Sequence, residues 1–341
     1  MHPPVKQIVR VAFLAKTLNA FSAVVFGTAV LFLSTGVQAQ ATGTYPNKPV
    51  KLVVAFPPGG ATDLTGRLLA GKLSEIWGQS VLVENKAGAS GMIGSEQVMR
   101  SPADGYTVLV TITTHIQNPA IFAKMPYDPI KDFEPISQIC LSYLALAVKP
   151  DFPAKDLKEF VALVKASPGK YTLGSFGTGT TSHILGERFA RVAGLDMTHV
   201  PYKGSAPMTV DLLGGQIATA WVDVSTGTAL FAANRLRPLA VSGPARAPML
   251  PNVPNLGELG YSGFEPLGWV GVFVPAGTPK AIIDKLSGDI MRVVKMPDVQ
   301  AKLNEQTLVP VGDSPESFAK TLKRDLALWA QIAAGAGIKP Q

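Results

Sequence analysis

The chain has a single cysteine, Cys140, so it can hold no internal disulfide. That thiol sits among Ile139, Leu141 and Leu144 and reads as a small buried hydrophobe, since a reactive thiol wants a nearby base and an exposed turn. Its four histidines are scattered with no metal-ligand spacing, so no metal and no other cofactor is expected. No dense run of Lys and Arg exists, which argues against a nucleic-acid surface. No apolar run reaches the ~20 residues needed to span a bilayer. The chain also lacks a G-x-S-x-G elbow, an internal repeat and any low-complexity segment. Two nucleotide near misses fail. Gly66 to Leu73 reads GRLLAGKL, with Leu73 where a metal-binding hydroxyl must stand and with the segment inside a helix pattern. The run Gly177 to Ser182 approximates a dinucleotide turn without its last glycine.

What is present begins with a leader. Lys6, Arg10 and Lys16 precede an apolar run from Phe21 to Leu33, and Val37-Gln38-Ala39 supplies small residues at the two positions that an export peptidase reads. Residues 1–39 are therefore expected to be a signal peptide, cleaved near Ala39, which implies a periplasmic protein. No cysteine at the junction offers a lipid anchor. Three basic and no acidic residues lie in that segment, so the formal charge of +7 falls to +4 on the remaining 302 residues. A modest positive field of this kind can attract a small anion.

Beyond the leader, strand and helix patterns alternate. Val50 to Phe56 is an apolar run suited to a strand buried on both faces. A helix pattern follows over Asp63 to Trp77, a strand over Val81 to Glu84, a helix over Met92 to Arg100 and a strand over Thr107 to Thr113. Phe133 to Lys149 is apolar and extended, as expected of a crossing into a second lobe. There the alternation resumes: helices over 157–164, 182–193 and 207–213, and strands over 171–175, 198–202, 217–222 and 236–242. Trp269 to Val274 reads as the return crossing, with helices over 279–294 and 315–333. The fold class expected is α/β and bilobal, each lobe a mostly parallel sheet flanked by helices, with two inter-lobe crossings. Lobe 1 would comprise 45–145 plus 263–341, and lobe 2 residues 146–262.

Two strand-to-helix loops carry the candidate chemistry. The first is Phe56-Pro57-Pro58-Gly59-Gly60-Ala61-Thr62-Asp63. In open α/β sheets ligands bind beyond the carboxyl ends of strands, where free N–H groups and the helix dipole favour an anion. The glycines permit close backbone approach and the prolines stiffen the turn. The bland alternative is a plain turn with Thr62 as the helix cap. Asp63, itself negative, suits backbone capping better than contact with a carboxylate. The second loop runs Gly174-Ser175-Phe176-Gly177-Thr178-Gly179-Thr180-Thr181-Ser182-His183. Its hydroxyls could surround a carboxylate, although Thr181 or Ser182 could equally be only a cap, and His183 a histidine satisfied by backbone.

These stretches, in order, make the chain resemble the Bug family of solute receptors, the binding-protein component of tripartite tricarboxylate transporters. Further matching segments are Tyr45-Pro46-Asn47-Lys48-Pro49, Val83 to Ala89, Asp104-Gly105-Tyr106-Thr107, Val200-Pro201-Tyr202-Lys203-Gly204, Leu213-Gly214-Gly215-Gln216 and Leu239-Ala240-Val241-Ser242 with Arg246. The resemblance implies a two-lobed periplasmic-binding-protein fold (type 2-like) whose two loops hold one ligand carboxylate, partly through ordered waters. It brings His115, Tyr202 and Asp223 into the candidate pocket, with Asp223 where an acid or amide often lies. The partners implied are a small organic anion (a mono- or dicarboxylate, aromatic ones included) and the membrane subunits of such a transporter. The expected protein is not an enzyme. An exported hydrolase using Ser175 or Ser182 with His183 is the competing reading, and adjacent helix positions point those last two side chains apart.

Overall fold

Strand β1 (Val50–Val54) is buried because its aliphatic residues meet helices on both faces: Val50, Leu52, Val53 and Val54 are each at most 2 % exposed. The computed structural model describes residues 45–340, and the expected signal segment lies outside them. The chain runs from β1 through α1 (Ala61–Trp77), β2 (Val81–Asn85), α2 (Met92–Met99) and β3 (Thr107–Ile112), with β1 paired in parallel to both β2 and β3. A short helix α3 (Thr114–Gln117) precedes β4 (Phe133–Ser142), and β5 (Leu144–Val148) follows after one residue, Tyr143.

A second sheet begins at β5. Helix α4 (Leu157–Lys165) is capped by Asp156, whose side chain accepts the Glu159 N–H at 2.8 Å. Then come β6 (Tyr171–Ser175), α5 (Thr181–Ala193), β7 (Met197–Pro201), α6 (Ser205–Gly214), β8 (Thr219–Asp223), α7 (Val224–Ala232) and β9 (Arg237–Val241). After residues 242–267 the chain returns with β10 (Gly268–Pro275), α8 (Lys280–Val294), α9 (Pro297–Glu305), β11 (Leu308–Pro310) and α10 (Pro315–Gly335).

The strand orders are β11-β4-β10-β3-β1-β2 and β7-β6-β8-β5-β9. The expected parallel β-α-β units supply β1, β2 and β3 in one sheet and β6, β7 and β8 in the other. The strands that link the halves pair antiparallel: β10 with β3 and β4, and β5 with β8 and β9. Each sheet is therefore mixed. Periodicity could not show this, because a buried strand reads the same in either pairing direction.

Two expectations about the links need revision. Phe133 to Lys149 is not one crossing strand but two strands in different sheets, broken at Tyr143. The return does not occur at Trp269 to Val274 either, since β10 lies wholly in the first sheet and the chain changes sheets within 242–267. Helices α3, α7 and α9 and strand β11 were not anticipated. The residues of α7, VSTGTALFA, are poor helix formers near the N-terminus, and its start is fixed by a cap, Asp223, which accepts the Ser225 N–H at 3.0 Å.

The largest apolar core contains residues of both sheets, among them Val53, Leu109 and Phe273 from the first and Leu146, Leu173 and Trp221 from the second. Helix α10 packs on β4 and α3 and also touches α5. It buries Phe318 and Trp329 fully. The Phe318 ring meets Trp269 edge-on at 5.2 Å between centroids, which ties this helix to β10.

Candidate ligand-binding site

The turn after β1 is organised from behind by Asp63. Its Oδ2 accepts the Gly59 N–H at 3.0 Å and the Arg67 Nε–H at 3.0 Å, while Oδ1 accepts from Asn85 Nδ2 at 2.9 Å. The same Asn85 amide donates to the Phe56 carbonyl at 3.0 Å, so one side chain holds both ends of the turn. Burial alone would push the Asp63 carboxyl up; hydrogen bonds from Arg67, Gly59 and Asn85 outweigh it and hold the group below the usual carboxylate range. Gly59 has φ +86°, a conformation that side-chain-bearing residues rarely adopt. Gly60 is the N-cap of α1 and provides no side-chain cap, so the helix begins with backbone donors facing outward.

The loop after β6 is stitched to itself. Thr180 caps α5 and donates its hydroxyl to the Gly177 carbonyl at 2.6 Å. Ser182 Oγ accepts the Phe176 N–H at 3.1 Å, and His183 Nδ1 accepts the Gly179 N–H at 3.1 Å. Ser175 Oγ is fully buried and lies 2.6 Å from His199 Nε2. The hydroxyl cradle anticipated from the sequence is thus mostly turned inward, because the tight turn needs those groups for its own backbone.

Two cavities lie where the sheets meet. The first is partly open to solvent and is lined by Phe56, Pro57, Pro58, Gly60, Ala61 and Thr62 from the first turn, and by Phe176 and Thr181 from the second. Ile112 and Thr113 add the end of β3; Ser142 and Leu144 the β4–β5 junction; Gly204, Ser205 and Ala206 the start of α6; and Gly268, Trp269 and Val270 the start of β10. Asp223, at the end of β8, is the one charged residue in this lining. The second cavity, about 330 Å³, is lined by Gly88 to Gly91, Phe122, Gly177, Thr178, Pro201, Tyr202 and Lys203, and shares Phe56, Pro57 and Phe176 with the first.

Of the residues singled out in the sequence, Phe56, Pro57, Pro58, Gly60, Ala61, Thr62, Thr181 and Asp223 therefore line the first cavity, while Gly177, Thr178 and Tyr202 line the second. Tyr202 directs its hydroxyl to Asp211 Oδ2 at 2.8 Å. Gly59, Asp63, Gly174, Ser175, Gly179, Thr180, Ser182 and His183 support the two turns without lining either space. His115 does not belong to the site. It is 1 % exposed, packs between Tyr127, Phe133 and Phe273, and bonds through Nε2 to the Pro129 carbonyl at 3.0 Å. The resemblance brought it into the candidate pocket, but the ring turns into the core. The residues missed, above all Trp269, Ser142 and Leu144, sit on the linking strands; the signal available was that chain crossing between two sheets must pass the mouth of any cleft between them.

Scattered in sequence, His183, Glu187 and His199 come together, with one potential ligand atom from each within 4.8 Å of the others. His183 and His199 stack at 4.2 Å between centroids. Burial, with the neighbouring His199, pushes His183 down to about 3, and burial pushes His199 down to about 4. The Gly179 N–H occupies the lone pair of His183 Nδ1, which places the ring proton on Nε2 and leaves this ring no free lone pair for an ion. The hydrolase reading loses its geometry as well. Ser182 and His183 each bond to loop backbone, and the buried Ser175 that meets His199 lines neither cavity.

The lobes touch across the cleft. Ser90 Oγ donates to the Thr178 carbonyl, Gln117 Nε2 donates to Thr181 Oγ1 at 3.0 Å, and the start of α6 at Gly204 abuts the Pro57 ring. Two mixed α/β sheets joined by two links, with strand-to-helix turns from both closing on one apolar cavity, define a bilobal solute-binding receptor of the periplasmic-binding-protein kind. The sequence profile described as "Tripartite tricarboxylate transporter family receptor" matches residues 65–338, and the chain belongs to that family. The periplasmic binding protein BugD is 33 % identical, with a TM-score of 0.83 over 87 % of this chain and 100 % of that one. Rpa4515 of R. palustris, solved with adipate, is 34 % identical, with a TM-score of 0.84 over 87 % of this chain and 100 % of that one. MatC (Rpa3494) of Rhodopseudomonas palustris, solved with bound malate, is 28 % identical, with a TM-score of 0.80 over 85 % of this chain and 100 % of that one. Among the described residues no helix is long and apolar enough to cross a membrane.

Proposed function

We propose that this chain is exported, loses its leader near Ala39, and captures a small organic carboxylate in the first cavity for delivery to the membrane subunits of a tripartite tricarboxylate-type transporter, without chemical turnover. The observation that carries the reading is the start of α1. Gly60 gives it no side-chain cap, and Gly60, Ala61 and Thr62 line a cavity that contains no Lys, Arg or His. Backbone N–H groups at a helix N-terminus, with Thr181 nearby, would hold the carboxylate directly or through water. The adipate and malate found with similar proteins support this ligand class. The lobes expected from the sequence, 45–145 plus 263–341 and 146–262, become 45–142 plus 268–341 and 144–264, joined by Tyr143 and by residues 265–267. The test is calorimetry and thermal shift with mono- and dicarboxylates, on protein refolded to remove carried-over ligand. Micromolar binding corresponds to about 8 kcal/mol, within reach of several charge-assisted hydrogen bonds at about 1.5–3 kcal/mol each. A carboxylate that raises the unfolding temperature without being consumed supports the reading; turnover of a tightly bound ligand overturns its non-enzymatic part.

A further inference from the structure

The N-termini of α1, α5, α6 and α7 all border the first cavity, and only that of α7 places an acid in its lining. Helix α1 begins at Gly60, without a side-chain cap. Helix α7 begins at Asp223, whose carboxylate accepts the Ser225 N–H at 3.0 Å and the Ser225 hydroxyl at 2.6 Å through Oδ1. Oδ2 accepts one further bond, from Ser142 Oγ at 3.0 Å. The first-turn acid of α1, Asp63, is paired with Arg67 and lies outside the lining, whereas Asp223 lines the cavity with no cation in that lining to balance it. The rest of the lining is apolar or uncharged: Phe56, Phe176, Ile112, Leu144, Trp269 and Val270 make the hydrophobic walls.

A capping role alone does not account for an acid here. Asn, Ser or Thr would accept the same Ser225 N–H. Burial holds the Asp223 carboxyl above the usual carboxylate range, and hydrogen bonds from Ser225 and Ser142 offset this only in part. Both oxygens act as acceptors, so what this group offers the cavity is an acceptor without a balancing cation in the lining. A ligand carboxylate next to it would set like charges together in an apolar space. A hydroxyl, an amine or a protonated ring nitrogen would instead donate to it.

We propose that Asp223 is a specificity-determining residue that selects carboxylates carrying a hydrogen-bond donor near it, hydroxy or amino acids and their aromatic counterparts, and discriminates against dicarboxylates. The inference rests on the carboxylate-receptor reading above and narrows it.

Matched sets in which the terminal group of a straight-chain monocarboxylate is methyl, hydroxyl, ammonium or carboxylate, taken across several chain lengths, test it by calorimetry on refolded protein. Asp223→Asn keeps the shape and the cap acceptor, and so provides a folded comparison. The native protein should bind the hydroxyl or ammonium member at least ~10-fold more tightly than the dicarboxylate of equal length, given the penalty for juxtaposed like charges. Asp223→Asn should shrink or reverse that ratio. If the native protein binds the dicarboxylate as tightly as either donor ligand, the inference falls while the receptor reading stands. If none of the carboxylates binds, the receptor reading falls, and the inference with it.

Discussion

Lowering the pH from 7.5 to 5 should destabilise this protein steeply, for a reason that can be counted residue by residue. His115, His183 and His199 are the histidines of the described chain, and all three are held neutral. Burial pushes His115 down to about 4 from its ordinary 6.5. Burial, with the neighbouring His199, takes His183 to about 3, and burial takes His199 to about 4. Because the folded values are depressed, the unfolded chain binds more protons between about pH 4 and 6.5, and stability is lost as pH falls through that window. At pH 5 an unfolded histidine gains about 2 kcal/mol from protonation that a native ring with a value near 4 or below does not. Three such groups remove up to about 6 kcal/mol, a large share of the ~5–15 kcal/mol typical of a domain. Urea titrations at a series of pH values give the slope directly. His115→Phe, which keeps an aromatic ring between Tyr127 and Phe133, should flatten it by about one third even if it shifts the absolute stability. An unfolding free energy unchanged between pH 7 and 5, with an unchanged urea slope, would refute the argument and mean that these rings reach water.

Other consequences can be checked on the same protein. Gly60 has φ −89° and ψ 170°, open to any residue, and a Cβ there meets nothing within 4 Å; Gly60→Val should therefore fold normally yet weaken carboxylate binding roughly 10–100-fold by calorimetry, the loss of about one charge-assisted hydrogen bond. Lys203→Met, at the second cavity, should cost far less, and the opposite ranking would transfer recognition to an ion pair. A Cβ at Gly94 would come within 2.9 Å of both Ala55 Cα and the Lys86 carbonyl oxygen, so Gly94→Ala should lower the unfolding free energy by about 1–3 kcal/mol despite its better helix propensity; an unchanged urea midpoint would show that α2 can shift away from β1. Small-angle scattering should show compaction when saturating ligand is added to ligand-free protein, and identical profiles would rule out closure.

The architecture was legible where chemistry and periodicity agreed. Val50 to Phe56, the Pro-Pro-Gly-Gly break and the Leu64, Leu68, Leu69, Leu73 spacing fix β1, its turn and α1 without reference to the rest of the chain. The second loop was legible as a loop, but its hydroxyls looked free when they are not: nothing in Gly-Thr-Gly-Thr-Thr-Ser tells which oxygens face a ligand and which satisfy a tight turn. Thr180 and Ser182 turned out to serve the backbone, and Thr181 between them faces the cavity. His199 escaped notice because its partners, Ser175 and His183, lie 24 and 16 positions away in sequence, and only parallel pairing of β6 with β7 brings them together. Trp269 was read as part of a crossing and not as a wall, since an apolar strand residue shows no sign of which side borders empty space.

The break at Tyr143 has a mechanical consequence. One tether between the halves is a single residue long, flanked on both sides by paired strand. The other is short as well: the Gly243 N–H donates to the Phe264 carbonyl and the Leu256 N–H to the Val241 carbonyl, so residues 242–264 fold back on the second sheet and leave 265–267 to cross before Gly268 pairs with Ser142. Two short tethers side by side make one hinge line, with little freedom beyond torsion about its own bonds. Motion of one half against the other should then resemble a door turning on a fixed pin, with displacement growing with distance from Tyr143. Groups near the pin, such as Ser142, Leu144 and Asp223, would keep their mutual geometry throughout the swing, and groups far from it, such as Ser90 and Thr178, would part first. On that mechanics, a ligand meets its most constant surroundings beside the pivot, and the latch that decides how long it stays is at the opposite rim.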